Sequence, residues 1–229
     1  MRNRTARLLA AGGVLAAGFL FVAAKASAED GGATYTIKFT RTWTEKTHPF
    51  EYPPAGLVSG PHFSGLIGAS HGESYSIFKE GTPPTPGLER LSEEGKHTPL
   101  DNEIRAAIQA GKAGALFETG PIRDASKTET TTVHVTNKFP MVSAVCMIAP
   151  SPDWFAGAAN VNLKENGKWV QTKTVQLWPM DSGGDDGTTY KAPDKDTNPK
   201  KNTSKASTPH FVMNGKTPPV GSLTFTLVK

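Results

Sequence analysis

The sequence predicts a mainly β protein, an antiparallel β-sandwich with one or two short helices. Short apolar or β-branched stretches with period-two alternation recur about seven times along the chain. The connections between them are long and rich in Pro and Gly, and only two short stretches carry helix end signals. Many short strands joined by turn-rich connections are typical of β-sandwiches.

The first segment predicts export. Three arginines within the first seven residues precede an apolar, Ala- and Gly-rich stretch, and a small-residue cleavage motif ends at Ala28. We therefore expect a signal peptide over residues 1–28 and one β-sandwich domain over 29–229. The protein is then secreted, either extracellular or periplasmic. An uncleaved anchor helix is the alternative, for which the apolar stretch is at the short end of the required length.

The charge balance argues against a nucleic-acid partner. The chain has 25 basic and 21 acidic residues, but residues 1–28 contain four of the basic ones and none of the acidic ones. The predicted mature protein is therefore neutral, and the alkaline isoelectric point mostly describes the signal peptide. Neutrality also disfavours purely electrostatic binding to anionic lipid.

The first third of the mature chain predicts two strands and a packed loop. Alternation from Tyr35 to Trp43 indicates a half-buried strand. Residues 62–71 contain glycines that suit close backbone approach in a loop, and residues 74–78 predict a short strand.

Two short helices are expected next. The first covers Leu88–Glu94 and ends at Gly95, a residue type favoured at helix C-termini. The second is expected to have Thr98 as its N-cap, with Pro99 in the first turn and Gly111 at its end.

The second half predicts strands over 130–136, 158–163, 169–177 and 223–228. Asn166-Gly167 is a strong hairpin signal between the second and third of these. The stretch between Asp181 and Lys205 is polar and turn-rich, and we expect it to be a long irregular connection.

The stretch Met141–Trp154 organises the chain. Its first nine residues are apolar apart from Ser143 and too few to cross a membrane. Prolines end the run, which predicts a strand buried on both faces. Cys146, the only cysteine, lies within it and is expected to be an inert buried thiol. Asp153 follows between Pro152 and Trp154, where we expect the core strand to meet solvent.

Two further carboxylates, Asp181 and Asp185, lie in a loop with three glycines. If the hairpin at Asn166-Gly167 returns the chain beside Trp154, these side chains and Asp153 share one end of the sandwich. Three carboxylates there would repel each other without a cation. An all-oxygen ligand set suits Ca²⁺, with Mg²⁺ as second choice. The alternative is that this Asp- and Gly-rich loop is a solvated turn.

Catalytic motifs are weak, and we expect no enzyme. Ser64 and His71 are seven residues apart, but no nucleophile elbow surrounds Ser64 and no partner acid is identifiable. A hydrolase that uses the metal or the pair Ser64 and His71 remains the less favoured alternative.

Several motifs across the mature chain match one known family. They are Trp43 with His48-Pro49, FSGLIGASH at 63–71, Gly87-Leu88, Glu94-Gly95, MIAPSPDW at 147–154, Gly157, Trp169, Leu177, DSGGD at 181–185 and Pro199. In these motifs the chain resembles the spondin N-terminal domain family, the module found in F-spondin and mindin. The resemblance implies a β-sandwich similar to calcium-dependent lipid-binding domains, with an ion held at Asp153, Asp181 and Asp185. It also implies a secreted matrix or adhesion protein that binds cell-surface receptors or microbial surfaces.

The sequence departs from the family pattern at two positions. Gly184 replaces a threonine in the Asp-rich loop, which predicts a looser loop before the ion binds. His134 stands where some relatives carry a further acidic ligand, and imidazole is a poor ligand for calcium. We also expect a stand-alone member without thrombospondin repeats.

Together these observations predict a secreted, calcium-binding adhesion or ligand-recognition module with a protein or glycan surface ligand. A calcium-dependent binder of lipid headgroups is the alternative.

Overall fold

The computed structural model of the chain describes residues 31–55, 60–122 and 128–228. The predicted signal peptide lies outside these ranges. No helix within them is long and apolar enough to cross a membrane.

The described residues form twelve strands and two helices in a mainly antiparallel β architecture. In chain order they are β1 Ala33–Arg41, β2 His62–Phe63, β3 Ile67–His71, α1 Pro86–Glu94, α2 Leu100–Gln109, β4 Ala113–Glu118, β5 Glu129–Val135, β6 Met141–Ala149, β7 Trp154–Asn162, β8 Lys164–Glu165, β9 Lys168–Trp169, β10 Thr172–Asp181, β11 Ser204–Lys205 and β12 Gly221–Leu227.

Ten of these strands form one sheet that curls until it nearly closes into a barrel. Its main path runs β4-β3-β6-β7-β10-β12-β1-β5, with β2 and β11 attached to β6 and β10. The terminal strands β4 and β5 approach each other across the remaining gap. The predicted antiparallel β class with two short helices is therefore confirmed. The expected sandwich of two sheets is matched only loosely, because one curled sheet supplies both walls.

The predicted central strand is confirmed as β6, whose residues after Met141 are all buried. It pairs with β3 on one side and β7 on the other. Val142, Ala144, Cys146 and Ile148 point into the barrel core, whereas Val145 belongs to a second core. Burial raises the pKa of the Cys146 thiol, as expected for an inert cysteine.

Two cores explain why β6 is buried on both faces. The larger core fills the barrel and includes Tyr35, Phe39 and Phe225. The smaller core lies outside the sheet, where Leu88 and Leu91 of α1 and Ile104 of α2 cover Val145 and Phe155. A strand between these cores has no face exposed to solvent, so its sequence is apolar except at the buried, hydrogen-bonded Ser143.

Helix α1 has the predicted end, and helix α2 does not have the predicted start. Gly95 adopts a left-handed conformation with φ of 67°, and its N–H donates to the Leu91 carbonyl at 2.8 Å. The expected N-cap Thr98 is wrong, because Pro99 occupies that position and no side chain caps α2.

Three assignments in the first half differ from expectation. The expected loop at 62–71 contains β2 and β3, the expected strand at 74–78 is irregular, and β4 was not predicted. Gly68 explains the first difference. A Cβ there would collide with the Phe117 ring and approach the Ser143 carbonyl at 2.6 Å, so glycine permits close packing inside a sheet.

Candidate functional site

The candidate site lies at the end of the barrel where β6 turns into β7 and β10 ends. The turn at 150–153 connects β6 to β7, and Asp181 at the end of β10 pairs with Trp154. The Ser182 N–H also donates to the Asp153 carbonyl at 3.2 Å. The Asp-rich loop therefore lies beside the turn that carries Asp153, as the hairpin argument expected.

Asp153 anchors this loop through one carboxylate oxygen. Its Oδ2 accepts hydrogen bonds from Ser182 Oγ at 2.9 Å and from the N–H groups of Gly183 at 2.9 Å, Gly184 at 2.8 Å and Asp185 at 3.2 Å. Successive backbone N–H groups that converge on an anion form a nest. Contrary to expectation, Asp153 does not meet solvent, because the loop covers it completely.

The second oxygen of Asp153 is in a different situation. Oδ1 is buried and has no hydrogen-bond partner among the described residues. Burial raises the pKa of Asp153, while the hydrogen bonds to Oδ2 oppose that rise. Burying a hydrogen-bond acceptor without a partner costs about 1–3 kcal/mol in lost solvation free energy. A bound water or ion at Oδ1 would offset that cost.

Asp181 is a second carboxylate whose ionised form is disfavoured by its surroundings. Its Oδ1 accepts from the Gly183 N–H at 2.9 Å. Burial, with a further contribution from the charge of Asp153, raises the pKa of Asp181 to about 6. Like charges near one another in a desolvated site disfavour ionisation, and a cation between them would reverse that effect.

Asp185, the third predicted ligand, uses both oxygens to stabilise its own loop. Oδ1 accepts from the Gly187 N–H at 2.5 Å and Oδ2 from the Lys195 N–H at 2.6 Å. It lies next to Asp153 through its backbone N–H, and its charge contributes to the raised pKa of Asp181.

Glu93 at the end of α1 belongs to the same electrostatic environment, and the sequence did not single it out. The pKa of Glu93 is raised to about 7, mainly by burial and next by repulsion from Glu89. The charges of Asp153 and Asp185 raise this pKa further. A Cβ on Gly184 would lie 2.8 Å from Glu93 Oε1, so the loop passes directly over this carboxylate. Helix α1 thus brings a fourth acid to the site.

The donor chemistry of this end fits a hard cation. All candidate ligands are carboxylate oxygens, and one of them, Asp153 Oδ1, is buried and unpartnered. Within the described ranges, however, no three His, Cys, Asp or Glu side chains already converge closely enough to hold a metal ion. A flexible oxygen shell suits Ca²⁺ better than Mg²⁺, which demands rigid octahedral geometry.

His134, Ser64 and His71 are not part of this site. His134 lies on β5 at the opposite end of the barrel, with Nδ1 3.4 Å from Thr34 Oγ1. Ser64 Oγ donates to the Gly65 carbonyl at 3.0 Å and accepts from the Met147 N–H at 2.8 Å. His71 Nε2 instead contacts Ser143 Oγ at 2.7 Å. The structure thus gives Ser64 and His71 separate structural partners.

A cavity of about 670 Å³ opens at the same end of the barrel. Its walls come from three loops, and its volume lies within the range of ligand pockets. The lining residues are Glu51, Tyr52, Pro53, Pro54, Pro150, Thr189, Tyr190 and Lys191. Beneath it, the buried rings of Trp43, Trp154 and Phe211 pack edge to face with their neighbours.

Comparison with known proteins identifies the family. The family model Spondin_N matches residues 33–215, which cover most of the chain. The chain belongs to the spondin N-terminal family. The whole of this acidic end, from Glu93 to Asp185, lies within the matched spondin region.

Curated spondins are similar to this chain over much of its length. Rat Spondin-2 is 31% identical over 84% of the chain, and human Spondin-2 is 32% identical over 73%. Mouse Spondin-1 is 33% identical over 75% of the chain. The matches cover 61%, 50% and 21% of these three relatives, so the chain spans less than two thirds of each.

Proposed function

We propose that this spondin-family chain is an extracellular adhesion or ligand-recognition module whose acidic end binds one divalent cation, Ca²⁺ in preference to Mg²⁺. Asp153, Asp181 and Asp185 are the ligands expected from the sequence, and Glu93 joins them. Spondin relatives are secreted matrix proteins rather than enzymes, which supports the extracellular and non-catalytic parts of the proposal.

The observation that carries the cation proposal is the buried Asp153 Oδ1 without a hydrogen-bond partner. Its partner oxygen Oδ2 already holds the loop in place, so the carboxylate cannot rotate to satisfy both atoms. Burial, with like-charge repulsion adding to it, raises the pKa values of Asp181 and Glu93. A cation at Oδ1 would satisfy the remaining oxygen of Asp153 and favour the ionised form of both neighbouring acids.

The ion would act by joining separate segments of the chain. Asp153 follows the central strand β6, Asp181 ends β10, and Glu93 ends α1. An ion that binds the folded protein and not the unfolded chain stabilises the fold as its free concentration rises. In this proposal it keeps three loops of the barrel end in one arrangement beside the cavity at Tyr52 and Tyr190.

The test compares thermal stability in calcium and in EDTA. We expect the melting temperature of the mature protein to be higher in 1 mM Ca²⁺ by about 4 °C or more, since a site saturated about 100-fold above its dissociation constant contributes about 2.7 kcal/mol. Asp181→Asn should remove most of that difference because it deletes one ligand charge.

The matched control is Asp194→Asn, an exposed residue in the same polar connection. It makes the same chemical change away from the proposed ligands and should keep the full calcium response. An identical response in wild type and Asp181→Asn would overturn the ligand assignment. The absence of any calcium response in wild type would overturn the cation proposal.

The recognition role is tested with immobilised protein and cultured cells. Because chelators also disable divalent-dependent receptors on cells, the variant Asp181→Asn replaces EDTA in this experiment. We expect cells to adhere to wild type and to Asp194→Asn, and to adhere less to Asp181→Asn. Equal adhesion to all three proteins would show that the acidic end does not contribute to cell recognition.

A further inference from the structure

One partly buried lysine, Lys200, lies among the acidic side chains at this end of the barrel. Lys200 Nζ forms ion pairs with Glu89 Oε1 at 2.6 Å and with Asp196. It also donates to the Gly184 carbonyl at 3.2 Å. Lys200 therefore joins helix α1, the Asp-rich loop and the following connection through one ammonium group.

Two other lysines nearby differ from Lys200 in burial. The side chain of Lys200 is 27% exposed, whereas those of Lys195 and Lys201 are 72% and 67% exposed. Both exposed lysines pair with Asp186 at the outer edge of the loop. Solvent screens such outer pairs strongly, whereas the less exposed Lys200 also contacts helix α1 through Glu89. The charge of Lys201 acts on Asp181 and Asp153, and that of Lys200 acts on Glu93.

The acids outnumber the lysines at this end of the barrel. Among the described residues, seven carboxylates line the Asp-rich loop or pair with its lysines: Glu89, Glu93, Asp153, Asp181, Asp185, Asp186 and Asp196. Lys200 contacts the loop at Gly184, the residue whose backbone N–H binds Asp153 and whose Cα lies against Glu93. Gly184 therefore lies between the ammonium group of Lys200 and the carboxylates of Asp153 and Glu93.

We infer that Lys200 is a built-in counter-ion that lowers the affinity of the acidic end for its divalent cation. The inference rests on the cation site proposed above. In the metal-free protein Lys200 partly neutralises the clustered carboxylates and keeps α1 joined to the loop. A divalent ion must then bind in the field of a fixed positive charge, so Lys200 determines how much free calcium is needed to occupy the site.

The direct test is calorimetric titration of CaCl₂ into EDTA-stripped mature protein at low ionic strength. Lys200→Met should bind calcium about three- to tenfold more tightly, because removing a nearby positive charge removes its repulsion of a divalent ion through a largely aqueous surrounding. Lys200→Arg keeps the charge and should stay close to wild type. The difference between Lys200→Met and wild type should shrink as salt is raised.

The charge-matched control is Lys168→Met. This substitution changes the net charge by the same amount as Lys200→Met. Because Lys168 is exposed in β9 at the opposite end of the barrel, its loss should leave calcium affinity unchanged. Lys200→Gln removes the charge, but its side-chain amide can still donate a hydrogen bond to Glu89. This variant replaces Lys200→Met in the titration if Lys200→Met is not folded at the titration temperature. A second readout is the melting temperature in EDTA, which should fall in Lys200→Met and recover in calcium.

The outcomes separate this inference from the function on which it rests. Tighter binding by Lys200→Met or Lys200→Gln, with Lys168→Met unchanged, supports the counter-ion role. Calcium binding that is unchanged or weaker in both charge-removing variants overturns it and leaves the cation site intact. If wild type and every variant fail to bind calcium, the cation site itself is wrong and the counter-ion role is wrong with it.

Discussion

Asp153 illustrates how one carboxylate can hold a loop through one oxygen and leave the other oxygen without a hydrogen-bond partner among the described residues. Four donors bind its Oδ2, and they come from four consecutive residues, Ser182 to Asp185. The sequence could predict that the loop and Asp153 share one end of the fold. It could not predict that the loop buries Asp153, because burial depends on how three backbone N–H groups and the Ser182 hydroxyl turn toward one oxygen.

Glu93 could not be recognised as part of the site from the sequence. Glu89 and Glu93 are one helical turn apart, a pattern that usually belongs to a solvated helix face. The one available signal was that like charges at this spacing destabilise a helix, which suggests a compensating partner elsewhere. That partner includes Lys200, more than a hundred residues away in the chain.

His71 allows a pH prediction at the level of a single residue. It is fully buried, its Nδ1 donates to the Gly72 carbonyl at 2.8 Å and its Nε2 accepts from Ser143 Oγ at 2.7 Å. Burial lowers the pKa of His71 below its ordinary 6.5. The unfolded chain therefore binds a proton that the folded protein resists, so the contribution of His71 to stability falls as pH drops below about 6.5.

Urea unfolding at several pH values checks this prediction. We expect the free energy of unfolding of His71→Gln to depend less steeply on pH between about 7 and 5 than that of wild type. Some dependence should remain, since burial also lowers the pKa of His48. His134→Gln changes an exposed histidine and should keep the wild-type slope. Equal slopes for His71→Gln and wild type would contradict the account.

At the scale of elements, α1 depends on α2 for its N-terminal cap. Thr85 Oγ1 accepts from the Leu88 N–H at 3.2 Å and donates to Glu103 Oε2 at 2.6 Å. Glu103 Oε1 accepts from the Gly87 N–H at 2.7 Å. The carboxylate of one helix thus satisfies free N–H groups of the other and favours its positive end.

We predict that Glu103→Ala lowers the free energy of unfolding by about 1–2 kcal/mol, the usual cost of losing a cap with its charged hydrogen bonds. Chemical denaturation in EDTA measures this cost without a contribution from calcium. Glu80→Ala removes an exposed carboxylate just before α1 and should change stability by less than about 0.5 kcal/mol. Similar costs for both variants would show that Glu103 does not cap α1.

The sequence predicted elements with local end signals and missed those defined by packing. Gly95 and Asn166-Gly167 adopt the positive φ values that their turns require, so the end of α1 and the position of the hairpin turn were predicted correctly. The strand expected over 169–177 is divided between β9 and β10. Strand β3 was mistaken for a loop because glycines such as Gly68 suggest a loop in the sequence alone. In the structure, Gly68 instead makes room for the ring of Phe117. Ile77, expected in a strand, instead packs into the core under the helices.

At the scale of the whole molecule, the class of fold was predictable and its closure was not. Period-two alternation in β1, β5 and β12 shows which face is buried. It does not show whether the strands belong to two sheets or to one. The accumulated twist of a ten-stranded sheet brings β4 and β5 together, and that geometry has no local sequence signal.

The fold also places function-related features at one end of the barrel. The acidic loop, the end of α1 and the cavity at Tyr52 and Tyr190 all surround the turn from β6 to β7. A bound ion would therefore order the loops around the cavity without contacting the barrel core. This arrangement connects the proposed cation to ligand recognition.

The most direct test of the account is the stoichiometry of calcium binding measured by titration calorimetry on EDTA-stripped wild-type protein. The account predicts saturable binding of one Ca²⁺ per chain, lost in Asp181→Asn and retained in Asp194→Asn. Absence of saturable binding in wild type, or binding that survives Asp181→Asn unchanged, would contradict it.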